Sequence, residues 1–330
     1  MAARFPSFVT LAALLAVMAV AVFAQRPVGP ETLPPAGADA VEPGLGAPPV
    51  AAAGVSAESA EQLMERAVVA LGQHRSFSAR LRHQVHLFGQ TLVGKGSYHQ
   101  LGKSLRVEMT IKASGQGAAS QLAHVCDGRY LWMYEDVGGR TKLSRVDLRR
   151  VNQAIAAADK DGTRPKRPLD MNIASGGFGR LLGDLKQQFQ MYAVRSEQLN
   201  NEPVWVLDGR WRRERLAELL PKQADEIRAG KAAQLDQLAR HLPHEVRITL
   251  SRDALLLPYR IEFATIKRDL DSNTSERTVI VAMEIYEIKL NEALDPQLFD
   301  YKPGSVEIID RTDKYLRQRG LLKKEKDGER

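Results

Sequence analysis

The chain has 330 residues, 44% hydrophobic and 26% charged, and its 47 Lys and Arg outweigh 40 Asp and Glu to give a formal net charge of +7. Its one cysteine, Cys126, rules out an internal disulfide and suits a small buried hydrophobe better than a nucleophile, which would need a base and an electropositive pocket. The basic balance sits behind an export signal, so nucleic acid is not an expected partner.

Arg4 and the apolar run over 8–23, closing on Val22-Phe23-Ala24, read as a secretory signal peptide cut after Ala24. The alternative is an uncleaved inner-membrane anchor, because the run is close to the ~17-residue lower limit of a span. Both place the body of the protein outside the cytoplasm, in the periplasm, and no cysteine near the cleavage point offers a lipid anchor. Residues 25–55 are rich in Pro, Ala and Gly and nearly uncharged, the composition of a disordered tether. One folded domain is expected over 56–310, with a helical insertion at 212–242 and a charged basic tail over 311–330.

Ser56 or Ser59 caps a first helix, whose Leu63, Ala67, Ala70 and Leu71 share a face and which Gly72 ends. A period of two follows. Phe77, Ala79, Leu81, Val85 and Leu87 alternate with Ser78, Arg80, Arg82, Gln84 and His86, as in an antiparallel sheet with one apolar and one wet face. The 89–96 region turns or bulges into a strand at 96–101, and Leu105, Val107, Met109, Ile111 and Ala113 line one side of a third. Ser114-Gly115-Gln116-Gly117 is a turn, Asp127-Gly128 joins strands at 121–126 and 130–135, and Gly138-Gly139 leads into 142–146.

The period then lengthens. Leu148, Val151, Ile155 and Ala158 are spaced for a helix, 159–168 is a loop, and Phe178, Leu181, Leu182, Leu185 and Phe189 form the stripe of another helix. Strands at 189–195 and 203–211 turn at Asn200-Asn201, and 212–242 reads as two helices divided at Gly230. The last third returns to sheet: Val246, Ile248 and Leu250; then Leu257, Tyr259, Ile261 and Phe263; then a turn at 271–273 and a long strand over 278–290. A helical turn at 294–299 and a strand at 306–309 close the chain. Ten or eleven strands in one antiparallel sheet must twist and curl, which leaves a concave interior.

Three stretches carry a family resemblance. Ser76-Phe77-Ser78-Ala79, Cys126-Asp127-Gly128-Arg129-Tyr130-Leu131-Trp132, and the closing run from Leu298-Phe299-Asp300-Tyr301 through Pro303-Gly304 to Ile309-Asp310 together resemble the outer-membrane lipoprotein carrier family (LolA/LolB-like). The resemblance spans about 56–310. It implies a mainly β (α+β) half-barrel with helices as a lid over its concave face, binding lipoprotein acyl chains, or peptides in the related sigma-factor regulators. The 212–242 block and the tail depart from that pattern, and Arg80, Arg82 and Arg106 are equal candidates for the family's lid-locking arginine.

The apolar positions chosen for the wall of the cleft are Leu81, Val85, Leu87, Val107, Met109, Ile111, Ile248 and Phe263. Each is equally suited to an ordinary core. Gly176, Gly177 and Gly179 precede or open a helix without the Lys-Ser/Thr of a phosphate loop, and serve instead as a hinge for the lid. No metal or cofactor is expected. His83 and His86 are three apart on a strand and face opposite ways, while His241 and His244 straddle Pro243 without a helical Glu. In the tail, eight basic residues against four acidic ones, among them Lys314, Arg317, Arg319, Lys323, Lys324 and Lys326, suit an anionic membrane surface or simple solvation. Two functions stay open: a non-catalytic periplasmic carrier of acyl chains or other amphiphiles, and a sensor or scaffold that meets a peptide, lipid or membrane-protein partner.

Overall fold

The computed structural model describes residues 59–87, 90–113, 119–162, 173–239, 242–269 and 274–322. The export signal, the tether, Ser56, the 114–117 and 271–273 turns, the 163–168 part of the expected loop, His241 and the last three lysines of the tail list lie outside them. Helix α1 (Ala60–Gly72) is followed by six strands: β1 (Ser76–Leu87), β2 (Gln90–Leu101), β3 (Ser104–Ala113), β4 (Ser120–Cys126), β5 (Tyr130–Val137) and β6 (Arg140–Asp147). Helices α2 (Leu148–Lys160) and α3 (Gly177–Gln188) lead to β7 (Phe189–Leu199) and β8 (Glu202–Trp211). Short helices α4 (Arg213–Leu219) and α5 (Ala224–Arg228) precede β9 (Glu245–Ser251), β10 (Pro258–Asp269) and β11 (Thr274–Leu290), and β12 (Ile308–Asp310) and α6 (Thr312–Gln318) complete the fold.

All twelve strands form one open, curled sheet in the order β12-β6-β5-β4-β3-β2-β1-β11-β10-β9-β8-β7. Two antiparallel meanders, β1–β6 and β7–β11, are sewn together where β1 pairs with β11. Alternation puts Phe77, Ala79, Leu81 and Val85 on the inner face, where helices α1 and α3 cover them. The outer face is polar except at its β4–β6 end, where Val125, Trp132 and Leu143 make a second small core. The segment after β11 straps over that core. Tyr301 stacks on Trp132 with centroids 5.5 Å apart, and Arg106 Nη1 donates to the Leu298 carbonyl at 2.9 Å.

Three expectations are corrected. The second strand does not begin near Gly96: β2 pairs with β1 without a break from Leu87 opposite Gln90 to Ser76 opposite Leu101. Its glycines reflect crowding, since a Cβ on Gly96 would run into the Glu108 carbonyl oxygen and the Met109 backbone. Gly96→Ala should therefore cost about 1–3 kcal/mol of stability, read from the urea midpoint, whereas an unchanged midpoint would mean that β3 moves aside freely. Second, only the first half of 212–242 is helical. Gly230 (φ +88°) ends α5, and beyond it the chain makes one 3-10 turn at Leu235–Gln237 while still burying Leu238 and Leu242. Third, the sheet is not wholly antiparallel. β12 lies at Ile308–Asp310 and runs parallel to β6, because the strap crosses the outer face before returning, the long connection that a parallel pair needs.

The start of the basic tail is built into the fold. Thr312 and Leu316 of α6 are buried, Thr312 Oγ1 accepts from the Asp147 backbone N–H at 2.9 Å, and Arg150 pairs with Asp313 at 2.7 Å. Arg319 is also buried, its guanidinium 4.4 Å over the Tyr315 ring. It is thus not available to lipid headgroups, unlike the exposed Lys314 and Arg317.

On the outer face of β7–β11 the charges are organised. Asp208, 4% exposed, accepts from Arg195 and from Arg247 Nε (2.7 Å), and Arg277 bridges Glu245 and Glu262. Burial pushes the Asp208 carboxyl up, but the two arginine hydrogen bonds outweigh it and hold the group below the usual range. Asp208→Asn should cost about 1.5–3 kcal/mol, the worth of hydrogen bonds to a charged group, checked by denaturant unfolding at pH 7. A loss below about 0.5 kcal/mol would mean that the partly exposed arginines re-hydrate at no cost.

Candidate functional site

The inner face is read most easily across the strands. Val194, Leu207, Ile248, Ile261, Met283, His83, Gly94, Ile111 and Ser120 stand in one transverse row from β7 to β4. Directly opposite residues on paired strands share a face, so this row is a continuous stripe of the inner face. The adjoining row places Leu81 beside Ile285 and across from Gly96 and Met109. Val85 and Phe263 both lie opposite Val281.

Seven of the eight wall positions, Leu81, Val85, Val107, Met109, Ile111, Ile248 and Phe263, are buried in a single apolar cluster. Leu87 ends β1 opposite Gln90, and its side chain lies outside the described residues. The roof supplies the other half of the cluster. α1 buries Leu63, Met64, Ala67 and Leu71, and α3 buries Phe178, Leu181, Leu182 and Leu185. These spacings are the helical i, i+3, i+4 stripe, which must find an apolar surface. Phe178 is the deepest contact: its ring centroid lies 5.5 Å from Phe77 and 4.7 Å from Tyr98. At the other end Phe189 packs against Trp211 at 4.3 Å, and the Trp211 indole N–H donates to the Pro243 carbonyl at 2.7 Å.

Polar ties hold the roof at its margins. Ser59 and Gln62 form a capping box at the start of α1. Glu61 on the first turn accepts from Arg212 Nη2 at 2.9 and 3.0 Å and from the Met191 backbone N–H at 2.9 Å, so it also occupies an unpaired donor of the edge strand β7. Glu65 pairs with Lys186 of α3. Arg212, just after β8, thus ties the sheet to α1. Arg80 and Arg82 lie on the outer face, paired with Glu287 and Glu284, and Arg106 is engaged by Glu108 and the strap. Nothing local to Arg212 signals this role, because its partner is 151 residues away in sequence.

Gly177 opens α3 with φ +76°, and a Cβ there would lie 2.6 Å from both Tyr98 Oη and Gln100 Oε1. Those two atoms are themselves hydrogen-bonded at 2.6 Å, with Tyr98 donating. Gly176 is extended, and a Cβ on it would meet the Arg180 side chain; one on Gly179 would touch Leu71 at 3.8 Å. Gly177 is thus the point where α3 presses on β2, while Gly179 faces Leu71 of α1.

The conspicuous polar group inside is His83. It is 2% exposed, and among the described residues neither ring nitrogen has a hydrogen-bond partner. Burial lowers its pKa to about 4, so the ring is neutral at pH 7. Its place between Leu81 and Val85 in the alternation puts it on the apolar face. His86 faces the other way and contacts Thr91 Oγ1 at 2.9 Å. His244 Nδ1 accepts from the Ile266 backbone N–H at 2.9 Å. Cys126 is buried, its thiol 3.6 Å from the Lys103 carbonyl, and burial pushes its pKa up. Among the described residues no three His, Cys, Asp or Glu side chains converge as metal ligands do. A separate open groove of about 760 Å³ lies around Arg82, Arg260, Glu284 and Tyr286, against the β7–β8 turn.

No protein-family model matches the sequence, and neither does a curated protein. Solved structures do. The chain is similar to the lipoprotein LppX of Mycobacterium tuberculosis, with TM-score 0.35 and 8% identity over 72% of this chain and 97% of that one. It is similar to a chain of the MucA/MucB complex of Pseudomonas aeruginosa, with TM-score 0.35 and 14% identity over 74% and 61%. It is also similar to a putative outer membrane lipoprotein-sorting protein domain of Vibrio parahaemolyticus, with TM-score 0.28 and 12% identity over 73% and 97%. None of these likenesses says what this chain binds.

Proposed function

We propose that the protein is an exported, non-catalytic binding protein that holds the acyl chain of a lipoprotein or another amphiphile between the inner face of its sheet and helices α1 and α3. The observation that carries this reading is the roof. Two helices bury a full apolar stripe against an equally apolar floor, while the polar ties that fix α1, at Glu61 and Glu65, sit at its edge. If α3 swings about Gly176, Gly177 and Gly179, floor and roof part as two largely apolar surfaces, and the Glu65–Lys186 pair and the Arg212 bond to the Lys186 carbonyl are among the polar ties that break. An acyl chain then restores the burial, at ~0.8 kcal/mol per methylene taken from water. Met109, Met283 and Met64 suit such an occupant, since their unbranched side chains adapt to irregular shapes.

The body of the protein works in the periplasm in this reading. Among the described residues no helix is long and apolar enough to cross a membrane. Lys314 and Arg317 of α6 are the exposed cations that would meet an anionic membrane surface.

Gentle purification of the exported protein followed by organic extraction and mass spectrometry tests the carrier. The expected result is an acyl-bearing lipid near one equivalent, displaced by 11-(dansylamino)undecanoic acid with a rise in dansyl fluorescence. A protein that carries no lipid and leaves the dansyl probe dark is not a carrier. The second reading, a sensor or scaffold, draws on the edge of the sheet: among the described residues β7 pairs with β8 alone, and Tyr192 on it is 51% exposed. Lipid-free protein that co-purifies with a membrane protein would favour that reading.

A further inference from the structure

Folded proteins leave few buried polar groups without a partner, because a desolvated donor or acceptor works against folding. Both nitrogens of His83 are in that condition, at the middle of the transverse row that floors the cleft. Its neighbours across the strands are Met283 on β11 and Gly94 on β2. Gly94 carries no side chain, and the space above it is filled by the terminal methyl of Met109, 2.6 Å from where a Cβ would stand, with Ile111 at 3.5 Å. A methionine methyl on three rotatable bonds is easily withdrawn. Its departure would leave a slot one atom wide beside the imidazole, walled by apolar groups and with one polar feature.

We propose that His83 is the polar anchor of the cleft, forming a hydrogen bond to an uncharged hydroxyl on a long aliphatic ligand when Met109 swings away from Gly94. This rests on the binding reading above and deepens it by naming what the occupant carries. A neutral imidazole has one N–H and one bare nitrogen, and a hydroxyl can accept from the first or donate to the second, so it fits either tautomer. An ionised carboxylate fits poorly, because a neutral ring in an apolar slot does not offset its desolvation. A plain hydrocarbon fills the space but leaves both nitrogens unpaired, and a site with unpaired polar groups discriminates against such a ligand.

The test uses 1-dodecanol and dodecane as competitors for bound 11-(dansylamino)undecanoic acid, with wild-type protein, His83→Leu and His83→Gln. Wild type is expected to favour dodecanol over dodecane by about tenfold more than His83→Leu does, the worth of one buried hydrogen bond. His83→Gln, which keeps a donor and an acceptor, should recover part of that preference. In the wild type, the His83 ring nitrogens, identified by the ¹⁵N signals absent from His83→Leu, should shift on adding dodecanol and stay in place with dodecane. Equal preference in wild type and His83→Leu, or ring signals indifferent to dodecanol, would overturn the anchor while leaving the cleft intact. Failure of both compounds to displace the probe from wild type would overturn the anchor together with the binding reading.

Discussion

Replacing Phe178 by alanine should lower the unfolding free energy by about 3–5 kcal/mol, the usual cost of emptying an aromatic position in a core. The ring is 1% exposed and wedged between Phe77 and Tyr98, so it joins α3 to the strands beneath. Rigid β1 and β2 cannot close over the gap, since their register is set on both sides, β1 between β2 and β11 and β2 between β1 and β3. Guanidinium unfolding followed by fluorescence of Trp205 and Trp211 measures the loss. Val69→Ala, on the same roof but 53% exposed, should stay within about 0.5 kcal/mol of wild type. A Phe178→Ala loss below 1 kcal/mol would mean that the roof contributes little to stability. If the roof opens for a passenger, the same variant should bind the dansyl probe at least as tightly as wild type, because the aromatic plug is gone while the floor remains.

Acid should act on stability through His83. Its folded pKa of about 4 lies below the ordinary value of 6.5 because burial disfavours the charged ring. The unfolded chain takes up a proton near 6.5 and the folded chain only near 4, so the unfolded state binds more protons between those values. Stability is therefore full above about pH 6.5 and falls as the pH drops towards 4, by about 3 kcal/mol at ~1.36 kcal/mol per unit. Urea titrations at pH 7, 5.5 and 4.5 should show this slope in wild type and its loss in His83→Leu. Identical slopes in the two proteins would place the effect elsewhere. The carboxylates act in a lower window. Asp208 and Asp310 are pushed up by burial and pulled below their usual value by hydrogen bonds, from Arg247 and Arg195 in one case and from Thr312 and Arg145 in the other. Their contribution is present above about 3.8 and lost below it.

Much of the fold was legible locally. Period-two alternation located β1, β3, β9 and β10 and assigned their faces correctly, because in a pleated strand the face of a side chain depends only on whether its position is odd or even. Helices α1 and α3 were legible from their apolar stripes, and the Asp127-Gly128, Gly138-Gly139 and Asn200-Asn201 turns from residues that tolerate positive φ, as Gly128, Gly138, Gly139, Asn200 and Asn201 all have. The same logic misled at 231–242, where apolar spacing suited a helix but the residues reach the core through an irregular segment. It also misplaced the start of β2, where glycines that read as a turn are small to let β3 approach.

The site divides in the same way. The burial of seven of the eight chosen wall positions was legible because an apolar face is a local property. His83 was within reach on the same grounds, as the one polar residue at an odd position between Leu81 and Val85, but type and spacing alone do not distinguish a buried histidine from a solvated one. Its lack of partners became evident only once Met283 from β11 and Gly94 from β2 were brought beside it.

By itself the amino-acid sequence determined that this chain builds a curled sheet with one apolar face and two amphipathic helices to cover it, since hydrophobic periodicity and turn chemistry act within a few residues. Only the tertiary structure decided that β1 is sewn to β11, that β12 returns parallel to β6, that Glu61 meets Arg212, and that a neutral histidine is buried in the middle of the inner face. Each of these depends on partners up to some two hundred residues apart, whose pairing is set by the burial of the whole sheet and by no pattern that either segment carries alone.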